Sequence, residues 1–214
     1  MTREEYFNEL TLIEKQNNTE YDLYYTIAAL IKQSPYIKSE KLSVRAVFRR
    51  TKSARGQIFY GLSNFPDLVI LDQNFRNADN DHAHIDNIDQ IYGCIEVKNM
   101  STPLLDIGSL LKEGKAALSR DEGQLLGDIL WYGKVLYTNG RDWRYLKWDR
   151  QGKEFADIKR IVEKRIKVGK SQTDFDWYEE MKACQIDLSK IEVSEFSSED
   201  WESLINGIYE IKWK

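Results

Sequence analysis

The chain of 214 residues contains little cysteine, proline or histidine, and it has no long apolar run. Two cysteines are too few for a disulfide scaffold and indicate reduced thiols. Three prolines and 12 glycines, beside 42% hydrophobic residues, argue against a disordered or fibrous chain. No apolar run reaches the roughly 18 residues of a membrane span, and the first residues lack the apolar stretch of a signal peptide. These absences predict a soluble, cytoplasmic protein that does not contact a membrane.

The net charge is −4, from 31 Lys and Arg against 35 Asp and Glu. This balance disfavours a protein that coats nucleic acid through bulk charge, but it leaves room for a local basic groove. The length predicts one domain, or one domain with an appendage.

Apolar periodicity predicts alternating helices and strands over the first two thirds of the chain. Ser119 and Glu122 have capping-box spacing before one helix, and Gly133 is placed to end it. Asn139-Gly140 suits the turn of a hairpin. In chain order, the predicted elements are a helix over 19–32, strands over 42–49, 67–72 and 91–98, a helix over 119–132, and a hairpin of 135–138 with 143–148. We therefore expect an α/β core over residues 1–148.

Residues 149–214 are interpreted as a C-terminal extension packed on that core. Its last helix is predicted over 199–209, with Ser198 as the N-cap.

Two strands that look buried each carry an acid, Asp67 at the start of one and Glu96 near the end of the other. A buried carboxylate needs a compensating partner. Lys98 shares a strand face with Glu96, so the three side chains converge if the strands are neighbours. Glu-x-Lys occurs four times in the chain, and only this instance lies on an apolar strand that follows a Pro-Asp strand. Two hard oxygen ligands beside a lysine suit a Mg²⁺ site.

Pro66-Asp67 and Glu96-Val97-Lys98, in this element order, resemble the PD-(D/E)xK nuclease superfamily. The segment Gln124-Leu125-Leu126 with the later Thr138-Asn139-Gly140 and Trp143-Arg144 is similar to the N-terminal nuclease domain of type I restriction motor subunits. The resemblance covers roughly residues 19–148, and the gap of 29 positions between the two acids departs from the family pattern. It implies a restriction-endonuclease-like αβββαβ core, with a central mixed sheet flanked by helices.

The resemblance also implies roles for single residues. Asp67 and Glu96 would bind Mg²⁺, or Mn²⁺ in its place, with the backbone carbonyl of Val97 completing the set of ligands. Lys98 would position or activate water, and Gln124 would align the backbone or the nucleophile. The first-helix glutamate of the family would correspond to Glu20. An acid in the first turn of a helix also interacts favourably with the helix dipole, which leaves two explanations for that residue.

Simpler interpretations of these residues stay open. Asp67 could cap a turn, and Glu96 with Lys98 could form an exposed ion pair on an edge strand. A basic cluster before the Pro-Asp strand could contact DNA phosphates or could be a solvated edge that resists aggregation. Its members are Arg45, Arg49, Arg50, Lys52 and Arg55. His82 and His84, in an acidic loop, could bind a transition metal or belong to a solvated insertion.

We therefore expect a Mg²⁺-dependent DNA endonuclease of restriction or defence type. It would act as a homodimer or with partner subunits of a restriction system. A nuclease-like module that binds DNA or assembles a complex without cleavage is the alternative, and an RNA nuclease is a third possibility because the metal chemistry is the same.

Overall fold

The computed structural model describes residues 1–47, 57–76, 85–112, 115–168 and 175–214. A six-stranded sheet runs through the centre of this part of the chain, and its strands lie side by side in chain order. The strands are β1 Ser43–Ala46, β2 Leu68–Leu71, β3 Ile91–Val97, β4 Lys134–Thr138, β5 Asp142–Lys147 and β6 Glu192–Ser197. Neighbouring strands are antiparallel except β3 and β4, which are parallel. The sheet is therefore mixed, which agrees with the mixed sheet that the family resemblance implies.

Helices cover both faces of the sheet. The described helices are α1 Arg3–Gln16, α2 Glu20–Ile31, α3 Pro35–Ser39, α4 Gln57–Tyr60, α5 Ile107–Leu110, α6 Arg120–Tyr132, α7 Gly152–Val168, α8 Trp177–Ala183 and α9 Trp201–Glu210. One core contains α4 to α8, and the other contains α1, α2, α3 and α9. Alternate residues of β2 and β3 enter the two cores, as strand geometry requires. In the described ranges, no helix has the length and apolar character needed to cross a membrane.

Local sequence signals explain the connection between β3 and β4. Ser119 accepts a hydrogen bond from the Glu122 amide at 3.4 Å, and the Glu122 carboxylate accepts from the Ser119 amide at 2.9 Å. This capping box starts α6, and Gly133 ends it in a left-handed conformation with φ 72°. Gly140, with φ 85°, turns β4 into β5. The predicted helix and hairpin are confirmed.

The C-terminal region contributes more than helices, because β6 pairs with β5 along six residues and extends the sheet. The prediction of Ser198 as N-cap of the last helix is wrong. The helix begins at Trp201, and the Asp200 carboxylate accepts a hydrogen bond from the Ser203 amide at 3.2 Å. Asp200 is the N-cap because its side chain is the one that reaches a free amide of the first turn.

Trp213, near the end of the chain, packs on the central part of the sheet. Its ring packs so tightly on β3 that a Cβ added to Gly93 would lie 2.5 Å from it. The Lys134 ammonium donates hydrogen bonds to the carbonyl oxygens of Lys212 and Trp213, at 2.6 and 2.7 Å. The last residues of the chain are thus attached to the two central strands.

Candidate active site

Pairing of β2 with β3 brings the two predicted acids together. The antiparallel register places Leu68 opposite Ile95, so Asp67 lies beside Glu96 at one end of the sheet. The Val97 amide donates a hydrogen bond to the Asp67 carboxylate at 2.7 Å. The sequence predicts the carbonyl of Val97 as a metal ligand, whereas the contact between Val97 and Asp67 is made by the Val97 amide. The interpretation of Asp67 as the cap of a turn finds no support in this contact, because the carboxylate joins two strands.

Glu96 is buried, with 2% of its surface exposed. Its Oε1 accepts hydrogen bonds from the Lys98 ammonium at 2.9 Å and from the Gln124 amide at 2.7 Å. Its Oε2 is buried without a hydrogen-bond partner. The interpretation as an exposed ion pair on an edge strand is therefore wrong, since β3 is interior and the carboxylate is enclosed.

Gln124 reaches Glu96 from α6, on the face of the sheet opposite α2. The Asn64 side-chain amide donates to Gln124 Oε1 at 2.8 Å, which fixes the orientation of the Gln124 amide. Gln124 is thus placed to hold Glu96 rather than to reach solvent.

Lys98 is fixed from two directions. Its backbone amide donates to the Thr138 carbonyl oxygen at 2.7 Å, just beyond the last residue of β3. Its ammonium lies 2.9 Å from Glu96 and 3.6 Å from Asp121. Although burial opposes the charged form, the Glu96 carboxylate raises the pKa of Lys98 above its ordinary value. Lys98 therefore supplies a positive charge to the cleft.

The two carboxyl groups have raised pKa values because burial penalises their charged forms. Burial raises the pKa of Asp67 to about 6, against hydrogen bonds from Tyr24 and the Val97 amide that lower it. Burial, with the nearby charge of Asp67, raises the pKa of Glu96 to about 8. A positive charge added between these groups would favour both ionised forms.

A cleft of about 350 Å³ opens at this end of the sheet, lined by Asp67, Glu96, Lys98 and Gln124. Glu20, at the start of α2, also lines the cleft, where its charge contributes to the raised pKa of Asp67. The four predicted catalytic residues and Glu20 thus share one cavity.

Two neighbours of the acids were not anticipated from the sequence. The Tyr24 hydroxyl donates a hydrogen bond to Asp67 Oδ1 from α2. Asp128 lies four residues after Gln124 on α6, is 2% exposed, and has an Oδ2 without a partner. Burial and the charge of Glu96 raise the pKa of Asp128 well above its ordinary value. The sequence signal that could have identified Asp128 is the presence of an acid among the apolar residues of a capped helix.

The predicted DNA-contacting cluster is only partly described. Arg45 lies on β1 and is exposed. Arg49, Arg50, Lys52 and Arg55 lie outside the described residues, as do His82 and His84.

The acids fit a cation that uses few protein ligands. Across the ranges that the structure describes, no three His, Cys, Asp or Glu side chains are grouped to hold a metal ion. Asp67 and Glu96 nevertheless supply two hard oxygen donors, and Glu96 Oε2 has no hydrogen-bond partner. Mg²⁺ is typically bound by one or two carboxylates while it keeps waters or substrate oxygens. The residues present fit such a cation and do not form a complete protein cage.

Comparisons with protein-family models, with curated proteins and with solved structures found no match. Fold and site together define a mixed α/β protein in which two buried carboxyl groups and a lysine meet in one cleft.

Proposed function

We propose that this protein is a metal-dependent phosphodiesterase, a DNA endonuclease of restriction or defence type built on a restriction-endonuclease-like core. The observation that carries the proposal is the convergence of Asp67, Glu96 and Lys98 in one cleft, with Glu96 Oε2 left unpartnered. A carboxylate pair beside a lysine is a donor set suited to hydrolysis of a phosphodiester with a divalent cation.

Asp67 and Glu96 would hold Mg²⁺ or Mn²⁺. When bound, the cation supplies a Lewis acid for a phosphate oxygen and lowers the pKa of a water molecule. Lys98, 2.9 Å from Glu96, would orient that water or stabilise negative charge on the phosphate. Gln124 and Tyr24 hold the two carboxylates in position through their hydrogen bonds.

Charge in the cleft supports a role for a cation. The described lining residues include four acids, Glu20, Asp67, Glu96 and Asp121, and two bases, Lys98 and Arg120. With the acids ionised, this lining repels a phosphate. A bound divalent cation would offset the excess and make phosphate entry favourable.

Cleavage of plasmid DNA and of single-stranded DNA with Mg²⁺, with Mn²⁺ and with EDTA tests the proposal. We expect Asp67→Asn and Lys98→Met each to reduce the cleavage rate by at least about 100-fold, since each removes a charge at the reacting groups. Asp72→Asn is the matched control, because Asp72 follows β2 at its opposite end. Cleavage that is equal in wild type and both variants, or unchanged in EDTA, would contradict the proposal.

The second candidate is a nuclease-like module that binds DNA or assembles a complex without cleavage. Two observations favour it: Glu96 Oε1 already has two donors, and no group of three metal ligands occurs in the described ranges. This candidate predicts binding that survives Asp67→Asn, with no cleavage of DNA or of RNA by the wild type.

A further inference from the structure

Exposed tyrosines lie beside the candidate active site. Tyr21 and Tyr25 on α2 are 72% and 82% exposed. Five large hydrophobic side chains are exposed in the described part of the chain. Tyr21 and Tyr25 are the most exposed of them, and the remaining three, Leu12, Val168 and Val193, are aliphatic. Because they are four residues apart on a helix, they lie on the same face, one turn from each other.

The tyrosine face is continuous with the cleft. Tyr21 and Tyr24 both line the cleft, and their ring centroids are 5.3 Å apart. Tyr24 in turn donates its hydroxyl hydrogen bond to Asp67. A row of aromatic rings therefore leads from the surface of α2 to a carboxylate of the site.

The folding of α2 does not require these exposed rings. The helix is anchored by buried residues of its opposite side, among them Leu23, Ile27 and Leu30. Two tyrosines in solvent add little to this core. Tyr21 lies at the mouth of the cleft and Tyr25 one helical turn further along, so their exposed rings offer aromatic surface to a ligand there.

The charge of the cleft lining and the exposed aromatic rings indicate which ligand fits. Acids exceed bases among the described lining residues, so contacts to phosphates alone would give little affinity for a nucleic acid. Aromatic side chains bind bases by stacking, largely without regard to sequence. In a duplex the base faces are already stacked on one another, so only unpaired bases can use such rings.

We infer that Tyr21 and Tyr25 form a stacking surface for unpaired nucleobases, so that the substrate is single-stranded nucleic acid or a single-stranded segment of a longer molecule. The inference rests on the proposed function, because it assigns the phosphodiester in the cleft to that strand. Arg120, which is exposed and lines the cleft, is available for a phosphate of the same strand.

Binding measured without cleavage tests the inference. Fluorescence anisotropy with Ca²⁺ in place of Mg²⁺, so that the cleft holds a divalent cation, would compare a labelled single-stranded oligonucleotide with a hairpin duplex of the same composition. We expect the full-length protein to prefer the single strand. Tyr21→Ala should weaken that binding by about 5- to 100-fold, and Tyr25→Ala should weaken it in the same direction. Tyr21→Phe should retain binding, because it keeps the ring.

Leu12→Ala is the matched control, since Leu12 is an exposed apolar residue of α1 and should leave binding unchanged. Circular dichroism of each variant would verify folding. Equal binding of both oligonucleotides, or binding that is insensitive to Tyr21→Ala, would overturn the inference. Self-association that depends on Tyr21, without binding of the single strand, would also overturn it and would assign the face to a second copy of the chain.

The two proposals fail in different ways. Tyrosine-dependent binding of the single strand by a protein that never cleaves would overturn only the proposed function. Metal-dependent cleavage of duplex DNA that Tyr21→Ala does not change would overturn only the stacking surface.

Discussion

Replacing Glu96 by glutamine should stabilise the protein while removing a residue proposed for its activity. The folded-state pKa of Glu96 is about 8, against 4.5 for an ordinary glutamate. Folding therefore favours the protonated form, and this contribution to stability is fully present below about pH 4.5 and is lost as the pH rises through about 8. Glutamine is neutral at every pH, keeps the same shape, and can still accept hydrogen bonds from Lys98 and Gln124.

The size of the effect follows from the two pKa values. Each pH unit between them changes the free energy of unfolding by about 1.4 kcal/mol. Near pH 5 the variant and wild type should differ by less than about 1 kcal/mol. Near pH 9 the difference has an upper limit on the order of 5 kcal/mol, and relaxation around the charge should reduce it to about 2–4 kcal/mol.

Urea denaturation in EDTA, followed across this pH range, measures the difference. Glu9→Gln is the control, because Glu9 is exposed on α1 and carries the same chemical change. A Glu96→Gln variant that is equal to wild type near pH 9, or less stable, would refute the reasoning. Saturating Mg²⁺ should then stabilise the wild type more than the variant, because ligand binding to the folded state adds stability.

Changes at Gly93 and Asp200 test how the C-terminal region is held, and Gly123→Ala is the control for Gly93→Ala. Gly93→Ala would place a Cβ 2.5 Å from the Trp213 ring and 2.7 Å from the Lys134 carbonyl oxygen, and should lower the free energy of unfolding by about 1–3 kcal/mol in urea. Gly123→Ala, whose Cβ would meet nothing closer than 3.9 Å, should be neutral or stabilising by up to about 1 kcal/mol. Asp200→Ala should lower stability by about 1 kcal/mol through loss of the N-cap, and Asp200→Asn should restore most of it; equal thermal midpoints for all three proteins would argue against capping.

Elements with local signals could be predicted from the sequence. The limits of α6 follow from Ser119, Glu122 and Gly133, which act within one turn of the helix ends. The strands β2 and β3 follow from apolar runs, because both faces of the sheet are covered.

Elements that depend on distant partners could not be predicted in this way. The residues of β6 are mostly exposed, and their sequence has no apolar run that predicts a strand. They form a strand because they pair with the edge of β5. Ser198 and Asp200 are both good N-cap residues, and only the backbone geometry chooses between them. The helix α1 was missed, although Thr2 and Glu5 form a capping box at its start.

The same distinction applies to the site. Asp67, Glu96 and Lys98 were identifiable because two carry charge on apolar strands and the third shares a strand face. Tyr24 could not be identified from the sequence, because α2 packs on the other face of the sheet and Tyr24 contacts Asp67 through its hydroxyl group.

The attachment of Trp213 to Gly93 has a consequence for how the chain folds. Residues separated by more than half of the length of the chain must meet before the strand that carries Glu96 is fully covered. Such distant contacts raise the contact order and slow folding, because a long loop must close before the contact forms. During synthesis, the acidic end of β3 emerges well before the tryptophan that covers its other end. The part of β3 around Gly93 is therefore among the last regions to reach its native packing, and stalled or truncated chains should expose it to aggregation.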